Sequence, residues 1–158
     1  MTIDEIIDFV ATLDGVLTLS PTAGDQWPEI SWGDTFFYYS PDGTVPTNTQ
    51  PFATIVTKDY PDDQSSLLNR PNTFRVNIAA GKEAFIEWTG HPPKQTTIEA
   101  VDYSVTDTVI PHPRYGTAGW LAVVNPDTRA DAPTRELLHT AYDRARSHHE
   151  RRAGSGPR

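Results

Sequence analysis

Apolar residues recur at helical spacing at the start of the chain, where Ile3, Ile6, Ile7, Val10 and Leu13 mark a single stripe. Thr2 and Glu5 supply the S/T-x-x-E capping box, in which each side chain satisfies the other residue's free backbone N–H. The pattern predicts an amphipathic helix of about three turns, with Gly15 placed as its left-handed C-cap. The period then changes. Val16 to Leu19, Thr35 to Tyr39 and Phe52 to Thr57 are short runs rich in β-branched or aromatic residues, each bounded by turn formers, and read as strands. Ser20 to Pro28 is a loop anchored by Trp27, and Ser40-Pro41-Asp42-Gly43 carries Pro and Gly where a type I turn uses them. Thr73 to Ile78 alternates cleanly, with Phe74, Val76 and Ile78 on a core face and Thr73, Arg75 and Asn77 on a polar one.

Ala84, Phe85 and Trp88 share a helical face between Gly81 and Gly90, which predicts a two-turn helix. Trp120 to Val124 reads as the last strand, closed by Asn125-Pro126, with a less regular strand around Val105 to Ile110. Asp131 is placed as an N-cap with Pro133 in the first turn of a terminal helix whose stripe is Leu137, Leu138, Ala141, Tyr142 and Ala145. That helix is polar all round from Arg144 to Arg152, and residues 153–158 read as a disordered tail. No repeat or linker separates two cores. Residues 1–152 therefore read as a single two-layer α+β domain, an antiparallel sheet packed against N-terminal and C-terminal helices.

Composition narrows the chemistry. The chain of 158 residues carries 13 Lys+Arg against 21 Asp+Glu, net −8, which repels phosphate backbones and disfavours nucleic acid as a partner. The charge is uneven: residues 1–133 hold 7 basic and 18 acidic residues, whereas the terminal segment holds 6 Arg and 3 acids. Basic residues late in a helix complement its C-terminal carbonyls, so the Arg-rich end has an electrostatic explanation of its own. There is no Cys, which excludes disulfides, thiolate catalysis and cysteine-ligated metal. No apolar run approaches the roughly 20 residues that span a bilayer, and Met1-Thr2-Ile3-Asp4-Glu5 is acidic where a signal peptide is basic. A cytoplasmic protein with no membrane association is expected, and an open sheet edge is the route by which it would form a homodimer.

No nucleotide-binding, metalloprotease, nucleophile-elbow or EF-hand motif is present, so no cofactor is expected. The candidate chemistry lies in isolated residues beside strands. His112, held between Pro111 and Pro113, is the first candidate, because histidine titrates near neutral pH and acts as acid, base or ligand. Arg75 and Asn77 share a strand face and together present a guanidinium fork and an amide. Lys58 and Asp34 lie near strand ends, where loops carry much of binding chemistry. Trp32, Tyr115 and Trp120 supply apolar walls. Each of these also has an ordinary structural role open to it: a packed ring, a solvated ion pair, an Asp that caps a turn, or a core aromatic. His91, His148-His149 and His139 with Asp143 are incomplete ligand sets, so no metal site is expected.

Three segments carry a resemblance: Ile30-Ser31-Trp32-Gly33-Asp34-Thr35-Phe36-Phe37-Tyr38, Phe74-Arg75-Val76-Asn77-Ile78, and Pro111-His112-Pro113-Arg114-Tyr115 with Trp120 leading the last strand. Over Thr2 to Arg152 the chain resembles a family of uncharacterised, mostly actinobacterial proteins, which implies no particular activity. The run from His112-Pro113-x-Tyr115 through Trp120 into the terminal helix is more distantly similar to the MmcQ/YjbR-like family. That resemblance implies a compact α+β fold of frataxin-like shape and suggests association with DNA, although Pro46 to Pro51 and Pro61 to Pro71 are insertions relative to its pattern. The function expected from these observations is the binding of a small molecule or a protein partner in a pocket between sheet and helix. The alternatives are an enzyme that uses His112 as general acid or base, with Asp34, Asp59 or Asp107 to orient it, and a DNA-associated module.

Overall fold

The computed structural model describes residues 1–95 and 100–154. The elements run α1 (Ile3–Ala11), β1 (Val16–Leu19), β2 (Thr35–Tyr39), β3 (Ala53–Val56), β4 (Arg75–Ile78), α2 (Lys82–Thr89), β5 (Val109–Pro111), β6 (Leu121–Val124) and α3 (Asp131–Gly154). The six strands form one sheet in the order β1-β2-β3-β4-β6-β5, with every neighbouring pair antiparallel. This is the two-layer α+β domain that the alternation of patterns predicts. No helix among the described residues is long and apolar enough to cross a membrane.

Register sorts the strand residues onto two faces. Phe37 pairs with Ala53, Ala53 with Ile78 and Ile78 with Leu121, so these side chains share one face together with Ile55 and Val76. That face carries the main core, to which α1 adds Ile6 and Val10, α2 adds Phe85, and α3 adds Leu137, Leu138, Ala141 and Tyr142. The opposite face presents Phe36, Thr54, Val56, Arg75, Asn77, Ala122 and Val124. No helix covers it. Its cover is the irregular segment 57–72, whose Leu68 packs with Val56 and Val124 in a second, smaller cluster flanked by Tyr60.

Local signals mostly act as read, with two corrections. The capping box forms, Thr2 Oγ1 accepting from the Glu5 N–H at 3.1 Å and Glu5 Oε1 from the Thr2 N–H at 3.4 Å. Helix α1 nevertheless ends before Gly15: its C-cap is Thr12 in a right-handed conformation. Gly15 is left-handed (φ +79°) for another reason, since its carbonyl accepts from Ser40 N–H and a Cβ there would meet the Tyr39 ring at 2.7 Å. The second correction concerns α3. The Asp131 carboxylate binds Arg135 Nε at 2.7 Å instead of capping the helix, and the open N–H groups of Asp127, Arg129 and Ala130 are taken by Asp107 at 2.7, 3.0 and 2.7 Å. The cap thus comes from a loop 20 or more residues away in sequence, invisible to any local pattern. Helix α3 includes Ala153 and Gly154. The remainder of the expected tail, residues 155–158, lies outside the described residues.

Candidate functional site

Strands β3 and β4 build the floor of a cleft of about 280 Å³ on the helix-free face. Thr54 and Asn77 are register partners, and Asn77 Nδ2 donates to Thr54 Oγ1 at 2.9 Å. Two residues before Asn77 on the same face is Arg75, whose side chain is 2% exposed. A guanidinium that has lost its water needs acceptors for five N–H groups, and most of the set is in place. Asp63 takes Nη1 and Nη2 in a fork at 3.1 and 2.6 Å, Ser66 Oγ takes Nη1 at 2.9 Å, and Asn77 Oδ1 takes Nε at 2.7 Å. Burial pushes the Asp63 carboxyl up, but the Arg75 guanidinium outweighs it and holds the group below its ordinary value.

The fifth donor of Arg75 faces His112. Strand β5 ends at Pro111, and His112 extends the ladder by one more bond, its N–H donating to Trp120 O at 3.0 Å. Alternation then turns the imidazole onto the cleft face. Its Nδ1 accepts from two backbone amides, those of Arg114 and Tyr115, both at 3.0 Å. A neutral imidazole has one in-plane lone pair, so this places the ring proton on Nε2. Yet Nε2 lies 3.3 Å from Arg75 Nη2, which is also a donor. In this tautomer two N–H groups confront each other at the cleft wall. The same surroundings keep the ring neutral: burial, reinforced by the Arg75 and Arg114 charges and only partly offset by Asp63, pushes its pKa down to about 3.

The rings of His112, Tyr115 and Trp120 form one wall, with His112–Tyr115 centroids 5.0 Å apart and Tyr115–Trp120 centroids 6.3 Å apart. Tyr60 and Asp63 also line the cleft, and Phe36, Pro51 and Val56 add to the apolar part of the lining. At the rim Arg114 and Asp62 meet across the opening at 3.4 Å, both half exposed or more.

Of the residues that the sequence singles out, Arg75, Asn77, His112, Tyr115 and Trp120 come together in this cleft. Arg75 and Asn77 are buried, where a solvated ion pair was the plainer reading, because segment 57–72 folds over them. Asp34 and Lys58 stand behind the wall and do not line it. The Asp34 carboxylate, 1% exposed, accepts from Thr57 N–H, Thr57 Oγ1 and Lys58 Nζ at 2.8, 2.9 and 3.0 Å and from the Tyr60 hydroxyl at 2.5 Å. It locks the start of β2 to the segment after β3. Burial and the bond to Asp34 push the Tyr60 phenol above its ordinary value. Trp32 is outside the cleft, its indole N–H donating to Trp27 O at 2.9 Å. Asp59 accepts from the Leu68 N–H at 2.8 Å, and Asp107 caps the turn before α3, so neither orients His112. His139 pairs with Asp143 at 3.1 Å, while His91 and His149 pack against Phe85 and Tyr39.

Sequence reasoning missed Asp63, Ser66 and Thr54. The available signal was Leu67-Leu68, an apolar pair inside an otherwise polar, proline-bounded loop, which marks that loop as packed onto something. This cleft lies on the sheet face away from the helices; on the helix side, where a pocket is expected, a wider groove of about 980 Å³ opens between α2 and α3, with Lys82, Arg144 and His148 in its lining and only Trp120 among the predicted residues.

The His112 lone pair is occupied by backbone amides, and its Nε2–H is blocked by a guanidinium. The ring is set up neither to take a proton nor to give one at neutral pH. Neither the curated proteins nor the solved structures compared with the chain include a match. The family model that does match covers residues 1–154. A match of that extent places the chain in DUF6194, a family of unknown function.

Proposed function

We propose that the protein binds a small molecule in the cleft on the helix-free face of the sheet. The observation that carries this reading is the confrontation of Arg75 Nη2 with the protonated Nε2 of His112. Leaving two buried donors unmatched is costly, and a ligand acceptor placed against them would remove that cost. The surroundings fit a binding site: a concave, mostly apolar space with a few fixed polar groups. The Arg75–Asp63 pair supports the same conclusion, since a buried ion pair contributes little net stability compared with apolar packing. Catalysis by His112 as general acid or base finds no support in this geometry. Association with DNA finds none in a cleft whose charges pair off. The arrangement of helices on one face of an antiparallel sheet agrees with the frataxin-like shape that the MmcQ/YjbR resemblance implies, and we keep that relationship as part of the proposal.

A thermal-shift screen of the intact protein against small carbonyl-bearing aromatic compounds tests the reading, because a ligand of the native state raises the unfolding midpoint. The expected result is a rise that disappears in Tyr115→Ala and persists in Trp88→Ala, which alters an exposed side chain on α2. A flat response across the panel, or a rise that survives Tyr115→Ala, contradicts it.

A further inference from the structure

We infer that the cleft ligand is an uncharged, planar compound that presents a carbonyl-type acceptor edge to the floor; the inference rests on the binding reading above and specifies its chemistry. The charges around the cleft cancel in pairs. Arg75 is matched by Asp63, Arg114 by Asp62, and Lys58 by Asp34. To meet an unpaired charge, an ionic ligand would have to displace Asp63 from buried Arg75 or part the exposed Arg114–Asp62 pair at the rim.

The polar groups without a partner are chiefly donors. Both Asp63 oxygens accept from Arg75, Asn77 Oδ1 accepts from Arg75 Nε, and Thr54 Oγ1 accepts from Asn77 Nδ2. Three donors have no acceptor among these bonds, the Nε2–H of His112, the second Nδ2–H of Asn77 and the Thr54 hydroxyl proton, whereas each acceptor already takes at least one hydrogen bond; Gln50, also in the lining, carries both kinds of group. Three donors around one apolar space are complemented by the lone pairs of a carbonyl. A planar compound is favoured by the aromatic side of the cleft: the Tyr115 and Trp120 rings are tilted 54° to each other, and a flat ring can stack on either of them at little entropic cost. A cleft of about 280 Å³ holds a compound of one or two rings.

Benzamide, benzoate and benzylamine share a ring and differ in the charge of the head group, so their binding separates the possibilities. Each is titrated at neutral pH into 15N-labelled full-length protein, with backbone and indole shifts at Tyr115 and Trp120 as the readout. Benzamide is expected to bind about tenfold more tightly than either charged compound, the size of one well-placed hydrogen bond. Thr54→Val, which removes the hydroxyl donor together with the acceptor of Asn77 Nδ2, and His112→Asn should each weaken benzamide severalfold while changing benzoate little. Binding of benzoate or benzylamine as tight as that of benzamide, with shifts at Tyr115 and Trp120, overturns the ligand class and leaves the cleft reading standing. An absence of shifts at those residues with all three compounds at millimolar concentration overturns both.

Discussion

Strand β4 buries its two faces almost equally and fills them with opposite chemistry. Val76 and Ile78 are 0% exposed and face a core of aliphatic and aromatic side chains, while Arg75 and Asn77 are 2% and 4% exposed and face a network of hydrogen bonds. On the first face, volume and apolar area suffice, and many sequences would serve. On the second, each polar atom depends on a named partner, and one donor pair has none. Such a network is a poor way to stabilise a sheet and a good way to hold fixed groups toward a ligand.

The comparison predicts unequal responses to substitution. The largest is expected at Arg75→Ala, which strands the Asp63 carboxylate and the Asn77 carbonyl and should cost about 3–5 kcal/mol in chemical denaturation. Replacing both partners, Arg75→Met with Asp63→Leu, should return most of that loss, because an apolar pair requires no desolvation of charge. If the double variant is as unstable as the single one, the network is a stabilising element after all. On the helix face, Leu138→Ala should cost about 3 kcal/mol through lost burial and the cavity left behind, with no partner substitution able to rescue it so simply.

The next effect depends on pH. An unfolded histidine takes up a proton near its ordinary value of 6.5, whereas native His112 resists protonation until about pH 3. Between those values the unfolded chain binds more protons, so stability falls as pH drops through that window. Asp63, held below the ordinary carboxylate value, adds a loss only at the acid end, below about pH 4. His112→Asn keeps an acceptor for the two backbone amides and cannot titrate, and the loss between pH 6.5 and 4 should shrink in that variant. An unchanged acid profile would show that His112 does not carry it. The smallest effect is expected at Asp62→Ala, since the exposed pair with Arg114 contributes about 0–1 kcal/mol.

How much of this was legible follows from the range of each signal. The capping box at Thr2 and Glu5, the two-turn helix between Gly81 and Gly90, and the alternation in β4 are local, and the structure contains them as read. Alternation, however, reports which side a residue takes and is silent on what covers that side. Arg75 and Asn77 were correctly placed together, but their burial depends on Ser66, Leu68 and Asp63, in a loop whose composition resembles any surface turn. The confrontation at His112 needed three backbone and side-chain donors fixed in space. For the same reason Gly15 was read as a helix cap, although its left-handed backbone answers to the Tyr39 ring on the neighbouring strand.

The claim that two donors meet without an acceptor can be tested on the ring itself. Imidazole 15N shifts of His112, recorded from neutral to acid pH in the ligand-free protein, distinguish the two neutral tautomers and the cation. The account predicts the Nε2–H tautomer at neutral pH, with a pyridine-like Nδ1 and no protonation until pH falls toward 3. A proton on Nδ1, or a ring that titrates at its ordinary value, would supply Arg75 with an acceptor or show the site to be open, and would contradict it.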